Sequence, residues 1–153
     1  MRASVWMWVL EIRTRINRRI KMDKMTVKYD KNFRMKIENN RNSEIILTDR
    51  NGEMLSPSEL LVASVASCAM TVLSIKLESN NQNFQNCYAE VGKTVDLTTF
   101  KVTEINIAFH LKKEYSQEVR EKAEKSVEEM CVVGRSLSKD VRQNYSFIYD
   151  VEN

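Results

Sequence analysis

The chain has 153 residues, of which 42% are hydrophobic and 29% are charged, with only three glycines and one proline. This composition predicts one globular domain and excludes a disordered or loop-dominated chain. Three widely spaced cysteines exclude a secreted disulfide framework and favour the cytoplasm, while a single histidine excludes a Cys/His zinc cluster.

The formal net charge of +3 is unevenly distributed along the chain. Residues 1–24 contain seven basic and two acidic side chains, so this segment carries +5 and the remaining residues carry −2. A nucleic-acid-binding domain needs a basic face on its folded body. We therefore expect no nucleic acid partner.

The first 24 residues also differ from the rest in their pattern, because apolar residues recur at helical spacing between arginines. A signal peptide is disfavoured, since the apolar run is short and no small-residue cleavage site follows. An amphipathic helix for a membrane surface or a partner, or an upstream extension before a start at Met22 or Met25, remain open. We divide the chain into a basic amphipathic N-terminal extension, 1–24, and a single domain, 25–153. No segment is expected to reach the ~18–20 apolar residues of a membrane span.

Alternating apolar and polar residues predict strands on both sides of a long apolar stretch. Strands are expected at 25–37 (with a turn at 30–32), 44–48, 87–97, 102–111 and 145–151. An Asn-Gly pair at 51–52 marks a loop before the apolar stretch.

The stretch that follows Ser56 predicts a long buried helix ending near Ser79. Ser56 is a good N-cap, Pro57 suits the first helical position, and Glu59 completes a capping box. The next twenty residues are apolar or small nearly all the way round, which is typical of a helix inside a protein. Cys68 lies in the middle of this run.

Ser116 caps a second, amphipathic helix, which is expected to end at Gly134. Its apolar stripe comprises Val119, Ala123, Val127, Met130 and Cys131. The order of strands, long helix, strands, helix and strand predicts an α+β fold with an antiparallel sheet.

Cys68 and Cys131 are separated by 63 residues, so that any contact between them must be tertiary. A free cysteine usually behaves as a small buried hydrophobe, and each thiol taken alone is expected to be inert. Cys87 lies at the start of a strand and is interpreted as structural. Nothing near His110 in the sequence supports a Cys–His nucleophile pair.

The surroundings of two of the cysteines form a specific pair of motifs. One is PSELLVA at 57–63, five residues before Cys68, and the other is EMCVVGRSL at 129–137, around Cys131. Together they resemble the OsmC/Ohr family of thiol-dependent peroxide reductases and their less characterised relatives, over about residues 25–151. The P-x-E-L-L form is similar to the OsmC-like branch more than to the organic hydroperoxide resistance proteins.

This resemblance implies a curved sheet wrapped around a long central helix, in an intertwined homodimer with active sites at the subunit interface. It also implies that Cys68 is the peroxidatic residue and that Cys131 resolves its sulfenic acid as a disulfide, which an external dithiol then reduces. No metal or organic cofactor is implied.

The family pattern further implies an arginine from an N-terminal strand, held by a carboxylate near the helix start, to lower the thiol pKa. Arg34 matches the arginine, with Arg41 and Arg50 as weaker alternatives, and Glu59 is the available carboxylate. The chain departs from the peroxidase branches at two places. Ser58 stands where those branches have a glutamate, and Val132 replaces a common proline, which puts efficient organic peroxide reduction in question.

Three hypotheses follow. The leading one is a cytoplasmic homodimeric peroxidase acting through Cys68 and Cys131. The second is a non-catalytic relative whose cavity binds a small apolar or thiol-reactive ligand. The third is a variant that is recruited to a membrane or partner by residues 1–24.

Overall fold

A computed structural model describes residues 24–39 and 41–152. The chain divides into two compact units, an N-terminal unit that extends through Leu47 and a C-terminal unit that begins at Thr48. The predicted amphipathic segment 1–24 lies outside the described residues except for Lys24, and the division into an extension and a single domain stays a prediction.

The N-terminal unit is built from a three-stranded sheet in the order β1-β2-β3. The strands are β1 (Met25–Tyr29), β2 (Met35–Asn39) and β3 (Ile45–Thr48), the last residue of which opens the C-terminal unit. β1 and β2 pair antiparallel, with Val27 opposite Ile37. The turn between them uses positive φ angles at Asn32 (50°) and Phe33 (61°), which confirms the turn predicted there.

The C-terminal unit contains three helices and the second sheet. Its helices are α1 (Pro57–Glu78), α2 (Gln117–Met130) and α3 (Val132–Arg135), and its strands are β4 (Tyr88–Asp96), β5 (Lys101–Lys112) and β6 (Arg142–Val151). The predicted α+β class is confirmed. β6 begins three residues before the expected strand, at Arg142.

The second sheet is mixed and not wholly antiparallel as expected. β4 and β5 form an antiparallel hairpin, but β6 runs parallel to β5. The expectation was wrong because α2 lies between β5 and β6, and a helical crossover returns the chain in its original direction. The sheet therefore combines a hairpin with a β-α-β unit.

The core lies between one face of this sheet and one side of α1. Ile105, Ile107, Phe109 and Leu111 alternate along β5 and are at most 1% exposed. Val65, Ala69, Leu73 and Leu77 repeat at helical spacing along α1 and are equally buried. α2 adds Ala123 and Val127 to the same cluster.

The capping box predicted at the start of α1 is confirmed on both sides. Ser56 Oγ accepts a hydrogen bond from the Glu59 N–H at 3.2 Å, and the Glu59 carboxylate accepts one from the Ser56 N–H at 2.7 Å. Ser79 caps the other end. These bonds satisfy backbone groups that a helix terminus leaves without partners.

α1 is long and apolar enough, by length and composition, to cross a membrane. The expectation that no segment reaches that length is therefore wrong. Core helices of globular proteins meet the same criterion, and the packing of Val65, Ala69 and Leu73 against the sheet identifies α1 as the core helix of the C-terminal unit.

Candidate active site

The geometry brings Cys68 and Cys131 together. Cys68 lies half-buried on α1, and Cys131 is 1% exposed at the junction of α2 and α3. The Cys131 thiol points to the Val65 carbonyl at 3.8 Å, one helical turn before Cys68, and the Cys68 thiol is a close enough neighbour to influence the pKa of Cys131. Because Val65 and Cys68 are three residues apart, they share a helix face, and Cys131 contacts one turn of α1.

The backbone at Cys131 breaks the helix that the sequence predicted to continue to Gly134. Cys131 has φ −69° and ψ 96°, so α2 ends at Met130 and the short α3 starts at Val132. The Cys131 N–H still donates to the Val127 carbonyl at 3.1 Å, and the Gly134 N–H donates to the Cys131 sulfur at 3.4 Å. The thiol therefore acts as the N-cap of α3, which fixes its direction.

Burial raises the pKa of the Cys131 thiol above its ordinary value. The adjacent Cys68 thiol raises this pKa further, while the N–H groups of Gly134 and Val133 lower it in part. Cys131 is therefore a protonated thiol at neutral pH. A thiol of this kind is a weak first nucleophile but can still react with an activated sulfur beside it.

Gln143 and Tyr145 complete the surroundings of Cys131. The Tyr145 hydroxyl donates to Gln143 Oε1 at 2.7 Å, and Gln143 Nε2 donates to the Gly134 carbonyl at 2.9 Å. Burial and the neighbouring Cys131 raise the pKa of Tyr145 to about 12, so its hydroxyl remains a donor. Neither residue was among the predicted site residues, and Gln143 lies before the strand expected at 145–151; alternation along the full length of β6 puts both on one strand face.

Glu59 is occupied by the contacts of the capping box and by an ion pair with Lys93 at 3.4 Å. The hydrogen bond from the Ser56 N–H is the main cause that lowers the pKa of its carboxyl. Cys68 follows Glu59 by nine residues. The two residues therefore lie on opposite sides of α1 and ~14 Å apart along the helix axis. Its role as the carboxylate of the site stays a prediction.

Arg34 belongs to the N-terminal unit and lies half-buried just before β2. Its N–H donates to the Lys31 carbonyl at 2.9 Å, and its carbonyl accepts from the Asp30 N–H at 3.0 Å. These bonds close the β1–β2 turn and set the residue at the start of the strand. Its function as the cation of the site stays a prediction.

The third cysteine and the histidine have other neighbours. The Cys87 sulfur lies 3.9 Å from the Tyr115 hydroxyl, and burial raises the pKa of its thiol. His110 Nδ1 lies 3.0 Å from both carboxylate oxygens of Asp150, and its ring stacks on Tyr88 with centroids 4.4 Å apart. His110 lies on the sheet face opposite Phe109, and its Nε2 lies 3.8 Å from a Glu90 carboxylate oxygen.

The chain matches the family of OsmC-like proteins over residues 50–146, which is well over half of its length. It therefore belongs to the OsmC-like protein family, and the resemblance inferred from the two cysteine motifs is confirmed. The matched region lies within the C-terminal unit and includes both Cys68 and Cys131. Among curated proteins, no relative matches.

Solved structures agree with this assignment. One from Psychrobacter arcticus 273-4, described as an osmotic stress induced and detoxification response protein, is 26% identical with a TM-score of 0.77, over 82% of this chain and 96% of that one. An OsmC-like protein from Mycoplasma pneumoniae is 15% identical with a TM-score of 0.75, over 86% and 99%.

The organic hydroperoxide resistance protein of Bacillus subtilis shares the fold at 13% identity. Its TM-score is 0.57, and the match covers 81% of this chain and 96% of that chain. At this level of identity, the similarity establishes a common fold.

Proposed function

We propose that this protein is a cytoplasmic, thiol-dependent peroxide reductase of the OsmC-like family. The observation that carries the proposal is the packing of the Cys131 thiol on α1, 3.8 Å from the Val65 carbonyl, which makes Cys131 a neighbour of Cys68 from a distant part of the chain. Two neighbouring cysteines, at the end of one helix and in the middle of another, are poised to form a disulfide after one of them is oxidised.

The proposed cycle uses no group beyond substrate, reductant and protein. The Cys68 sulfur attacks the O–O bond of a peroxide, becomes a sulfenic acid and releases an alcohol, or water from hydrogen peroxide. The Cys131 thiol then attacks the sulfenic sulfur, forming the disulfide and releasing water. An external dithiol supplies two electrons and two protons, which restores both thiols and leaves an oxidised dithiol.

The first step uses a thiolate as the nucleophile, and a cation close to a thiol favours that form. We assign this role to Arg34, supported by Glu59. The test is Arg34→Gln, which we expect to slow the peroxide step by about 10²-fold while Arg41→Gln, the matched control, retains the rate. Equal rates in wild type and Arg34→Gln contradict the assignment.

We also propose that the active form is a homodimer, because large apolar side chains are exposed in the described chain. On β1, Met25, Val27 and Tyr29 are 70%, 63% and 66% exposed. On α1, Leu61 and Ile75 are also exposed. Leu61, Cys68 and Ile75 are seven residues apart in series, so they line one face of the helix at the spacing of a helix–helix seam.

The polar residues of α1 are compatible with burial of this face. The hydroxyls of Ser64, Thr71 and Ser74 donate to carbonyls of the preceding turn, at 2.6, 2.9 and 2.9 Å. Because these hydroxyls are already satisfied within the helix, a partner can cover the face at a small desolvation cost.

The decisive experiment measures consumption of cumene hydroperoxide by purified protein with dithiothreitol. We expect Cys68→Ser to abolish turnover and the matched control Cys87→Ser to retain it, because Cys87 contacts Tyr115 and lies outside the thiol pair. After one equivalent of peroxide, peptide mapping should find a Cys68–Cys131 disulfide. A disulfide that includes Cys87 contradicts the assignment of the pair.

A non-catalytic binding protein is the second candidate. It is favoured by Ser58 at the position of the family glutamate and by the engagement of Glu59 in the capping box and with Lys93. If wild type and Cys68→Ser both leave peroxide untouched, the enzyme proposal fails. Retention of an apolar thiol-reactive probe, such as a maleimide dye, at Cys68 then supports binding.

A further inference from the structure

A cavity of about 240 Å³ opens beside Cys131. We call it the Cys131 pocket. Its walls include Glu128, Cys131, Gly134, Arg135, Gln143 and Tyr145. These residues come from the end of α2, from α3 and from β6, and in the described part of the chain none of its lining residues belongs to α1.

The residues that line the pocket are therefore different from the α1 residues beside the Cys131 sulfur. On α1, the sulfur lies 3.8 Å from the Val65 carbonyl, with Cys68 as a neighbour. Cys131 also lines the pocket. Thiol–disulfide exchange proceeds when a thiolate approaches one sulfur roughly in line with the S–S bond, from the side away from the leaving sulfur. Because Cys131 lines the pocket and no described residue of α1 does, a thiolate in the pocket would reach the Cys131 sulfur of a Cys68–Cys131 disulfide rather than the Cys68 sulfur.

Glycine at position 134 lets the pocket wall pack closely beside the Cys131 sulfur. A Cβ atom there would lie 2.7 Å from Gln143 Oε1, 3.2 Å from the Tyr145 hydroxyl and 3.3 Å from the Cys131 sulfur. Such a methyl group would displace the Gln143 side chain and so disturb the wall of the pocket. The hydrogen bonds from Tyr145 to Gln143 and from Gln143 to the Gly134 carbonyl hold this wall in place.

The Cys131 pocket is polar, whereas the surroundings of Cys68 on α1 are apolar. Glu128 and Arg135 bring opposite charges to it, and Gln143 and Tyr145 contribute an amide and a hydroxyl. Because Cys131 is only 1% exposed, a flat protein surface does not reach its sulfur. A slender, hydrophilic dithiol has the shape and polarity that this pocket accepts.

We infer that the reducing dithiol enters through the Cys131 pocket and attacks the sulfur of Cys131, with Cys68 as the leaving thiolate. The inference rests on the proposed function, since it concerns the disulfide of that cycle. The first thiolate forms a mixed disulfide with Cys131 and breaks the Cys68–Cys131 bond. The second thiol of the reductant then attacks the sulfur of its own mixed disulfide, which releases Cys131 and the oxidised, cyclic dithiol.

The position of attack is tested without peroxide. The Cys68–Cys131 disulfide is formed with diamide, pulsed briefly with the monothiol 2-mercaptoethanol, quenched in acid and alkylated, and the adducts are mapped on peptides. We expect adducts on Cys131 to exceed those on Cys68 by about tenfold, with Cys68 recovered as the alkylated thiol. Adducts mainly on Cys68, or no Cys68–Cys131 link after diamide, overturn the inference.

Occlusion of the pocket gives an independent measurement. Glu128→Trp places a bulky ring at the pocket, whereas Glu121→Trp places the same ring on an exposed position of α2 outside it. We expect Glu128→Trp to slow reduction of the diamide-formed disulfide by dithiothreitol about tenfold, and Glu121→Trp to leave the rate within about twofold. Equal rates in the two variants overturn the inference. If the adducts form on Cys131 as expected but the protein does not turn over peroxide, the proposed function is contradicted and this inference is not.

Discussion

The two faces of α1 carry similar apolar side chains but meet different surroundings. On the inner face, Val65, Ala69 and Leu73 are completely buried against the second sheet and α2. On the outer face, Leu61 and Ile75 are 38% and 60% exposed. An isolated surface helix has polar residues on its outer side, so an apolar outer face calls for a partner.

Cys68 lies where these two faces meet. It shares the seven-residue spacing of Leu61 and Ile75, and it is also a neighbour of Cys131, whose thiol points to the carbonyl of the buried Val65. The inner face of α1 therefore stabilises the fold, whereas the outer face leaves room for a partner or ligand beside the thiol. Reactivity at Cys68 therefore depends on both faces.

The largest expected effect comes from the inner face. Leu73→Ala removes a fully buried side chain from the core, and we expect the free energy of unfolding to fall by about 2–5 kcal/mol. Leu97→Ala is the matched control, since Leu97 is 75% exposed in the β4–β5 turn, and its effect should stay within about 0.5 kcal/mol. Urea denaturation of both variants at one protein concentration measures this difference. Similar losses contradict the assigned core.

The outer face is tested by Ile75→Glu. A charge on an apolar contact is costly to desolvate, so we expect self-association to weaken at least about tenfold, or ~1.4 kcal/mol. Gln85→Glu adds the same charge on an exposed loop and should leave association unchanged. Sedimentation velocity over a concentration series provides the measurement. A wild type that is monomeric throughout, or variants that dissociate equally, argues against the dimer.

The pH dependence of disulfide formation tests the environment of Cys131, which lies beside Cys68 where the inner and outer faces of α1 meet. Because its pKa is raised above the ordinary thiol value of about 8.5, the thiolate fraction of Cys131 increases about tenfold per pH unit from pH 6 to 8. No plateau is expected in this range. We expect the resolving rate to follow this rise. Rapid-quench mapping of the Cys68–Cys131 link after a peroxide pulse measures the rate, and Cys131→Ser isolates the preceding step. A plateau near pH 7 contradicts the prediction.

The same raised pKa has a consequence for stability. Because the folded-state pKa lies above the unfolded value, the protonated Cys131 thiol contributes to stability below the unfolded pKa of about 8.5. This contribution is lost as the pH rises through the folded pKa. Unfolding of wild type and Cys131→Ser should therefore differ in its dependence on pH only under alkaline conditions.

The smallest effect is expected at the cap of α1. Ser56→Ala removes the acceptor of the Glu59 N–H and should lower the free energy of unfolding by about 1 kcal/mol. Ser67→Ala, at an exposed position in the middle of the helix, should change it by less than about 0.5 kcal/mol. Thermal and urea unfolding provide the values. If the two variants lose equal stability, the cap does not contribute as proposed.

Local rules account for the elements that the sequence predicted correctly. The capping box at Ser56 and Glu59, the N-cap at Ser116 and the alternation along β5 depend on neighbouring residues only. Their hydrogen bonds close within a few residues, and one sequence is enough to recognise them. The family assignment likewise rests on two short motifs.

Longer-range effects decided the elements that were predicted incorrectly. The end of α2 at Met130, four residues before Gly134, depends on Cys131 turning its thiol towards α1 and towards the Gly134 N–H. The parallel pairing of β6 with β5 depends on how α2 packs before the chain returns. Neither the approach of Cys131 to α1 nor the pairing of β6 with β5 can be predicted from neighbouring residues.

By itself, the sequence determined that α1 is a capped, apolar helix with Cys68 in its middle, because caps and side-chain periodicity are local properties. Only the tertiary structure decided that Cys131 meets Cys68 and that Gln143 and Tyr145 surround its sulfur. Residues 63 positions apart approach each other only when α2 packs on α1 and β6 pairs with β5. The free energy of that packing is shared over the whole core, so no short motif encodes it.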